Sequence, residues 1–377
     1  MRIMDFSHSV EYDVFMNRRR LIQNAGRFAG AGLIGPSLLH IPKARAFRTP
    51  EPIKVGQIGT AHAHAAGKMS TLRKLTADFE VVGIVEPDPE RRKDAERRSA
   101  YRGLKWISEE QLLNTPGLQM VAVETDIPDL VPTAMRCVSA AMHIHLDKPA
   151  GLSLSAFKNL LDEATRHRLT VQMGYMFRHN PAFRFCFQAA QKGWLGDIFE
   201  VHGVISKTIG AEQRKIIAAY PGSMFELGCH LIDAMVKVLG RPDKVTGFSR
   251  RTRPEQDDLA DNQLAVFEYA RCTATIRSAL VEVDGQKRRQ FVVCGDRGTV
   301  EIRPLEPPKL LLALDRSVGR YKKGYQEVEL PEMPGRYDDQ LIELVRIIRG
   351  EKESEYPPEH DLAVQEAVLK ASGAALD

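Results

Sequence analysis

A chain of 377 residues exceeds the usual size of a single core, so two domains with an appendage are expected. Its 43% hydrophobic and 27% charged residues are typical of globular proteins and exclude a disordered or fibrous chain. The formal net charge of +4 is small for this length and partly N-terminal, which excludes a nucleic-acid surface, and five scattered cysteines without a CxxC pair exclude a disulfide scaffold or zinc site, so no metal centre is expected.

The first segment carries the run NRRRLIQNAGRFAGAGLIGPSLLHIPKARAF: an arginine cluster, a weakly apolar Gly/Ala/Leu stretch, then Ala44, Arg45 and Ala46. That order predicts a signal peptide over residues 1–46. Arg18 and Arg19, followed by Arg20, Leu21 and Ile22, resemble the twin-arginine consensus. The expected location is therefore exported and periplasmic, with the twin-arginine export machinery as a partner. The apolar stretch is short, glycine-rich and interrupted by Arg27, so no stable membrane anchor is expected.

Residues 51–172 alternate strands and helices. The run IKVGQIG reads as a strand ending in a tight turn, and TAHAHAAGKMSTLRKL has helical spacing. Gly59, Thr60, Ala61 and His62 form that turn, which would cradle a pyrophosphate on backbone N–H groups and the helix dipole. Counted as GxGxxG, the turn keeps Gly59 but has Ala61 and His64 in the second and third glycine places. The next strand, FEVVGIVEPD, ends in Glu86, where an acid would accept the ribose hydroxyls and favour NAD; Arg91 and Arg92 keep NADP open. Two more apolar runs, LQMVAVET and MHIHLDKP, place Thr125, Asp126, Asp147 and Lys148 on the rim at the strand C-termini. The pattern predicts an α/β Rossmann domain with a doubly wound parallel sheet and an NAD(P) cofactor, expected to be tightly bound.

DKPAGLS, then VQMGYMFRHNPAF, then ELGCHLIDAMVKVLG, in this order and separation, resemble the Gfo/Idh/MocA oxidoreductases. The resemblance covers nearly everything after the leader. In that family the strand-end motif is EKP, and its lysine contacts cofactor and substrate; Asp147, Lys148 and Pro149 match it with a shorter acid. A second family motif sets an aspartate four residues before a histidine and another three after it. Glu226, His230 and Asp233 take those places, with Glu226 one methylene longer than the family's acid. Helical spacing would put Glu226 and His230 on one face. Tyr175 and Arg178 fall where family members line the substrate pocket. The chain reads TDIPDLVP where the family often carries TPNxxH.

From about Gly196 the pattern changes to short alternating strands with turn residues between them. Residues 173–335 are thus read as a C-terminal α+β substrate and oligomerisation domain with an open-faced, mainly antiparallel sheet, and residues 336–377 as helices packing back on the core. In the family such a sheet often forms the subunit contact, so a homo-oligomer, dimer or tetramer, is expected. The resemblance implies an enzyme: a NAD(P)-dependent oxidoreductase moving hydride between the cofactor and a sugar or polyol. His230 would be the acid/base, Lys148 the group stabilising the developing alkoxide, and Glu226 an orienting carboxylate. Two rival readings are a glycoside-cleaving enzyme working by oxidation, elimination and reduction, and a non-catalytic sugar-binding or scaffold protein.

Overall fold

The structure is a computed structural model that describes residues 51–377; the leader expected over residues 1–46 lies outside them. The first half is built from β1 (Ile53–Ile58), α1 (Ala65–Lys74), β2 (Phe79–Val85), α2 (Pro89–Glu96), α3 (Glu109–Leu113), β3 (Leu118–Val123), α4 (Ile127–Ser139), β4 (His143–Leu146), α5 (Leu154–Arg166) and β5 (Val171–Met173). The five strands lie in the order β2-β1-β3-β4-β5, all parallel. Beyond β2, Trp106 makes a single parallel bridge to Ile84. Counting that bridge, the sheet has six positions in doubly wound order, and the winding reverses between β1 and β3. A ligand crevice forms at such a reversal, outside the strand C-termini.

The strands β1 and β3 are buried on both faces, which is why their sequences are mainly apolar rather than strictly alternating. α4 buries Ile127, Leu130, Val131, Ala134, Cys137 and Val138, the three-and-four spacing of one helical face. α5 does the same with Phe157, Leu160, Leu161 and Ala164, and the Ser153 hydroxyl accepts from the Ala156 N–H at 3.0 Å to close its first turn.

The second half adds α6 (Pro181–Gln191), β6 (Ile198–Ser206), α7 (Ala211–Ala218), α8 (Cys229–Leu239) and strands β7 (Lys244–Arg250), β8 (Asn262–Glu268), β9 (Thr273–Ala279), β10 (Gln290–Gly295), β11 (Gly298–Leu305), β12 (Pro308–Leu314) and β13 (Gly324–Glu327). These eight strands form one sheet in the order β13-β12-β11-β10-β6-β9-β8-β7, antiparallel throughout except at the β6–β9 pair. Its inner face sets Val201, Ile205, Ala265, Phe267, Ile276, Phe291, Val293, Val300, Ile302 and Leu312 into the core. Along the same strands His202, Leu264, Val266, Thr275 and Val292 alternate with them and stay partly exposed, so the other face is open.

Pro50–Asp377 is one body, and its core runs without a break from Ile58 to Ala371. Two last helices, α9 (Asp338–Ile348) and α10 (Pro358–Ser372), close it. α9 lays Leu341, Leu344 and Val345 against Ile53, Val55, Met120 and Ala122 of the parallel sheet. α10 packs on α5, α8 and β7. From α10 the Gln365 amide accepts from the Ala150 N–H at 3.1 Å and donates to the Gly151 carbonyl at 2.6 Å, fixing the loop that follows Lys148. No helix among the described residues is long and apolar enough to cross a membrane.

Candidate active site

The crevice begins at the turn between β1 and α1. Gly59 has φ +88°, and a Cβ there would stand 2.6 Å from the Thr125 nitrogen, so only glycine lets this turn lie against the end of β3. Thr60 gives both its N–H and its hydroxyl to one oxygen of Glu86, at 2.8 and 2.7 Å. The other Glu86 oxygen accepts from the Asp88 N–H at 3.1 Å. Glu86 therefore stands at the end of β2 as the sequence suggests, with its carboxylate tied to the turn. Arg91 pairs with Asp126 across the strand ends and lies 3.4 Å from Asp88. Its guanidinium is thereby engaged by two carboxylates.

Two cavities flank Thr125. One, of about 690 Å³, is lined by Glu86, Pro87, Arg92, Trp106 and Asp129 on the β2 side. The other, of about 140 Å³, is lined by Ala61, His62, Ala63, Asp126, Lys207, Tyr220 and Glu226. Among the described residues no acceptor meets the N–H groups of Ala61 and Ala63. Free backbone donors at a helix N-terminus between two cavities fit a dinucleotide, whose pyrophosphate would bridge them. Gly59, Thr60, Ala61, His62, Thr125 and Asp126 are the residues that would hold it.

Beneath the turn lies a buried charge cluster that only the folded chain assembles. His62 Nδ1 is 2.7 Å from Asp147 Oδ2, and its Nε2 is 3.0 Å from the Lys148 carbonyl. His64 Nδ1 meets the other Asp147 oxygen at 3.3 Å. Lys68, from α1, is fully buried and lies 2.9 Å from both Glu124 and Asp147. Gly174 makes room for this contact, since a Cβ there would come within 2.8 Å of the Lys68 ammonium. Burial works to raise the Asp147 carboxyl, but His62, Lys68 and His64 hold it well below the ordinary range. Glu124 is pushed well above it by burial and by the Asp147 charge. The sequence reading missed Lys68 and Glu124.

Lys148 extends from the end of β4 to just beneath the cleft lining, where it meets Glu226. Its ammonium donates to the Glu226 carbonyl at 2.8 Å and lies 3.8 Å from the Glu226 carboxylate. Burial opposes its charge, yet Glu226, Cys229 and Asp147 together keep its pKa above the usual lysine value. Burial likewise opposes the Glu226 charge, while Lys148, His62 and Lys207 keep its pKa low, so both groups are ionised. Glu226 does not sit on a regular α-helix as expected: Met224–Gly228 is one π-type turn that widens into α8, a feature common at functional sites. His230, in the first turn of α8, is 1% exposed and lies one layer below the cleft lining. Its ring packs 5.6 Å from Phe177, 6.0 Å from Tyr175 and 6.3 Å from His64, and its Nδ1 has no partner among the described residues. Burial, helped by Lys148, pushes its pKa well down, so its imidazole is neutral.

The substrate assignments of Tyr175, Arg178 and Asp233 need correction. Arg178 donates through Nε and Nη2 to Asp233, at 3.1 and 2.7 Å, and pairs with Asp361. His360 Nε2 reaches Asp233 at 3.0 Å. The guanidinium lies 5.0 Å from the Tyr175 ring centroid and 4.0 Å from that of Tyr356. None of the three residues lines the cleft beside Glu226. They form a buried ionic brace under His230, whose partner Asp361 comes from α10. Asp233, His360 and Asp361 on one hand, and His62, His64 and Asp147 on the other, have the ligand spacing of a metal site. Each group already faces a cation of the chain, Arg178 or Lys68, and this charge stands where a metal ion's would.

Two buried histidines, His145 and His230, and the part-buried His64 give the fold a pH signature. Burial pushes His64 down to about 4 and His145 to about 3, and His230 follows the same direction. The unfolded chain takes up these protons at the ordinary value of about 6.5, while the folded chain refuses them. Stability is therefore complete above that value and falls as pH drops, by up to about 1.4 kcal/mol per pH unit for each such histidine. Denaturant midpoints measured from pH 7.5 to 5 should decline; a flat profile would contradict the buried, neutral imidazoles.

Comparison with known proteins agrees with this geometry. Residues 53–175 match the family model described as an oxidoreductase family with an NAD-binding Rossmann fold, and residues 183–301 match the GFO/IDH/MocA C-terminal domain. The uncharacterized oxidoreductase YhhX of Escherichia coli (strain K12) is 28% identical over 210 residues, 55% of this chain; the chain spans 59% of YhhX's length. The trans-1,2-dihydrobenzene-1,2-diol dehydrogenase of Sus scrofa is 24% identical over 265 residues, covering 69% of this chain and 74% of the relative. Among solved structures, the UDP-N-acetylglucosamine 3-dehydrogenase GnnA of Acidithiobacillus ferrooxidans shares the fold, with a TM-score of 0.70 at 15% identity over 86% of this chain and 98% of its own. The two matches fall on the parallel sheet and on the eight-stranded sheet, and the chain belongs to the GFO/IDH/MocA family of oxidoreductases.

Proposed function

We propose that this oxidoreductase transfers hydride between a nicotinamide cofactor and a hydroxyl-bearing carbon of a sugar or polyol. The observation that carries the reading is the Lys148 ammonium, held 3.8 Å from the carboxylate of Glu226, which lines the cleft that starts from the Ala61–Ala63 turn. The names of the pig relative and of GnnA, a diol dehydrogenase and a sugar-nucleotide dehydrogenase, support a hydroxyl substrate. When bound, the cofactor supplies the hydride acceptor or donor.

The chain's residues do the rest. The Lys148 ammonium donates to the reacting oxygen and stabilises charge as it develops there. His230, neutral and buried just below the lining, receives the hydroxyl proton through a relay rather than by direct contact at its enclosed Nδ1. Glu226 keeps Lys148 charged and accepts from a neighbouring hydroxyl. The open face of the eight-stranded sheet is our candidate for contact with a second copy. The arginine-led segment before residue 47 supports export after folding, which suits a retained cofactor.

Denaturing freshly purified protein and identifying the released dinucleotide by mass spectrometry tests the reading. About one equivalent of NAD or NADP per chain is the expected result, and it also names the cofactor. Protein that neither releases a dinucleotide nor binds one when it is added would overturn the assignment.

A further inference from the structure

We infer that the substrate carries an anionic group, a carboxylate or a phosphate, received by Lys207 and Arg289 beside Glu226; this deepens, and rests on, the sugar oxidoreductase reading. Lys207 follows β6 and lines the cleft with Glu226. Its N–H donates to the Ala279 carbonyl at 3.0 Å, which ties its backbone to the end of β9. Arg289 donates through Nε to the carbonyl of Ser206, the residue before Lys207, at 3.1 Å. The Arg289 guanidinium is thus bonded to the residue that precedes the Lys207 ammonium, at one end of the interior strand β6.

Their charges are not balanced by the chain. Among the described residues Lys148 and Lys207 share Glu226, because Asp147, the other carboxylate that acts on Lys148, is engaged by Lys68 and His62. Arg289 and Arg336 share Glu306, at 4.0 and 2.7 Å, and Arg336 holds the closer place. The remaining acid near Ser206, Glu282, is taken by Arg288 at 2.5 and 2.8 Å. Among the described residues, Lys148, Lys207, Arg289 and Arg336 therefore share two carboxylates, Glu226 and Glu306, which leaves two positive charges unmatched. The Arg289 side chain is only 11% exposed, so water screens this surplus poorly. Burial depresses the pKa of both Lys207 and Arg289, in contrast to Lys148, whose carboxylate neighbours outweigh burial. Partly buried cations without a full partner are costly, and a ligand oxyanion supplies the missing charge through ammonium and guanidinium hydrogen bonds. A neutral sugar would leave them as they are.

The test measures equilibrium binding by calorimetry to the full chain with its dinucleotide. The probes are glucuronate, galacturonate, gluconate and glucose 6-phosphate, each set against its neutral parent, glucose, galactose or glucitol. At least one anionic probe should bind about tenfold or more tightly than its parent at low salt, with the gap narrowing in 0.5 M salt on the order of the Debye screening expected there. Whether the uronates or the phosphate show it identifies the anion. Lys207→Met should erase the gap between anionic probe and neutral parent; Arg289→Gln is the second variant, in case the first does not fold. Anionic probes that bind no better than their parents, or a preference that survives in both variants, overturn the inference. Failure of the underlying reading looks different: no dinucleotide binds, while the anion preference and its loss in Lys207→Met persist.

Discussion

Replacing Lys148 with methionine should lower kcat by about two to three orders of magnitude, the usual cost of removing one donor aimed at a developing oxyanion. The side chain is 1% exposed, and among the described residues its ammonium meets only Glu226, so no other cation there can take over its position. Lys207 lines the same cleft but starts from the opposite wall, after β6. Cofactor affinity should hardly change, because the Ala61 and Ala63 N–H groups and the Gly59 turn owe nothing to the lysine side chain. Steady-state kinetics with a separate dinucleotide titration would show the split. A variant with normal kcat would remove Lys148 from the chemistry, whereas lost dinucleotide binding would make its role structural.

The alternation of strands and helices was legible because β1 and β3, buried on both faces, read as mainly apolar runs between helical segments. The position of Trp106 was not, since one bridging residue carries no period for a pattern to reveal. Within the site, residues fixed by a motif on one strand end or turn, such as Gly59 and Lys148, could be found from sequence. Lys68 could not: a lysine in a short amphipathic helix reads as solvated, and only the fold brings Glu124 and Asp147 to 2.9 Å from it. Two departures from the family motifs looked independent in the sequence, His64 in a glycine place and Asp147 for glutamate. They lie 3.3 Å apart, and the shorter acid faces the histidine that replaces the glycine. The helical spacing of Glu226 and His230 misled for a local reason. The π-type turn at Met224–Gly228 changes the rotation between them, so Glu226 lines the cleft while His230 lies below it.

Arg178 and Asp233 carried the sharpest disagreement between pattern and structure, and Arg178→Met measures it. The variant should lose about 3–5 kcal/mol of stability, because two buried carboxylates, Asp233 and Asp361, would lose their guanidinium and keep only His360 nearby. Arg178→Lys should recover part of this, since an ammonium restores the charge but not the fork that bonds Asp233 through two nitrogens. The sign of the pH dependence separates this cause from a general loosening. Burial opposes the Asp233 charge, and Arg178 is the main group that keeps its pKa low. Without the arginine, burial would raise both carboxyls above their unfolded values, so the variant's folded state would bind more protons than its unfolded state. Its stability should then rise relative to wild type as pH falls below about 5, and the gap between the two should narrow. Sugar affinity in the folded variant should stay within about threefold, a difference under 1 kcal/mol. A large rise in KM with unchanged stability would instead return Arg178 to the substrate.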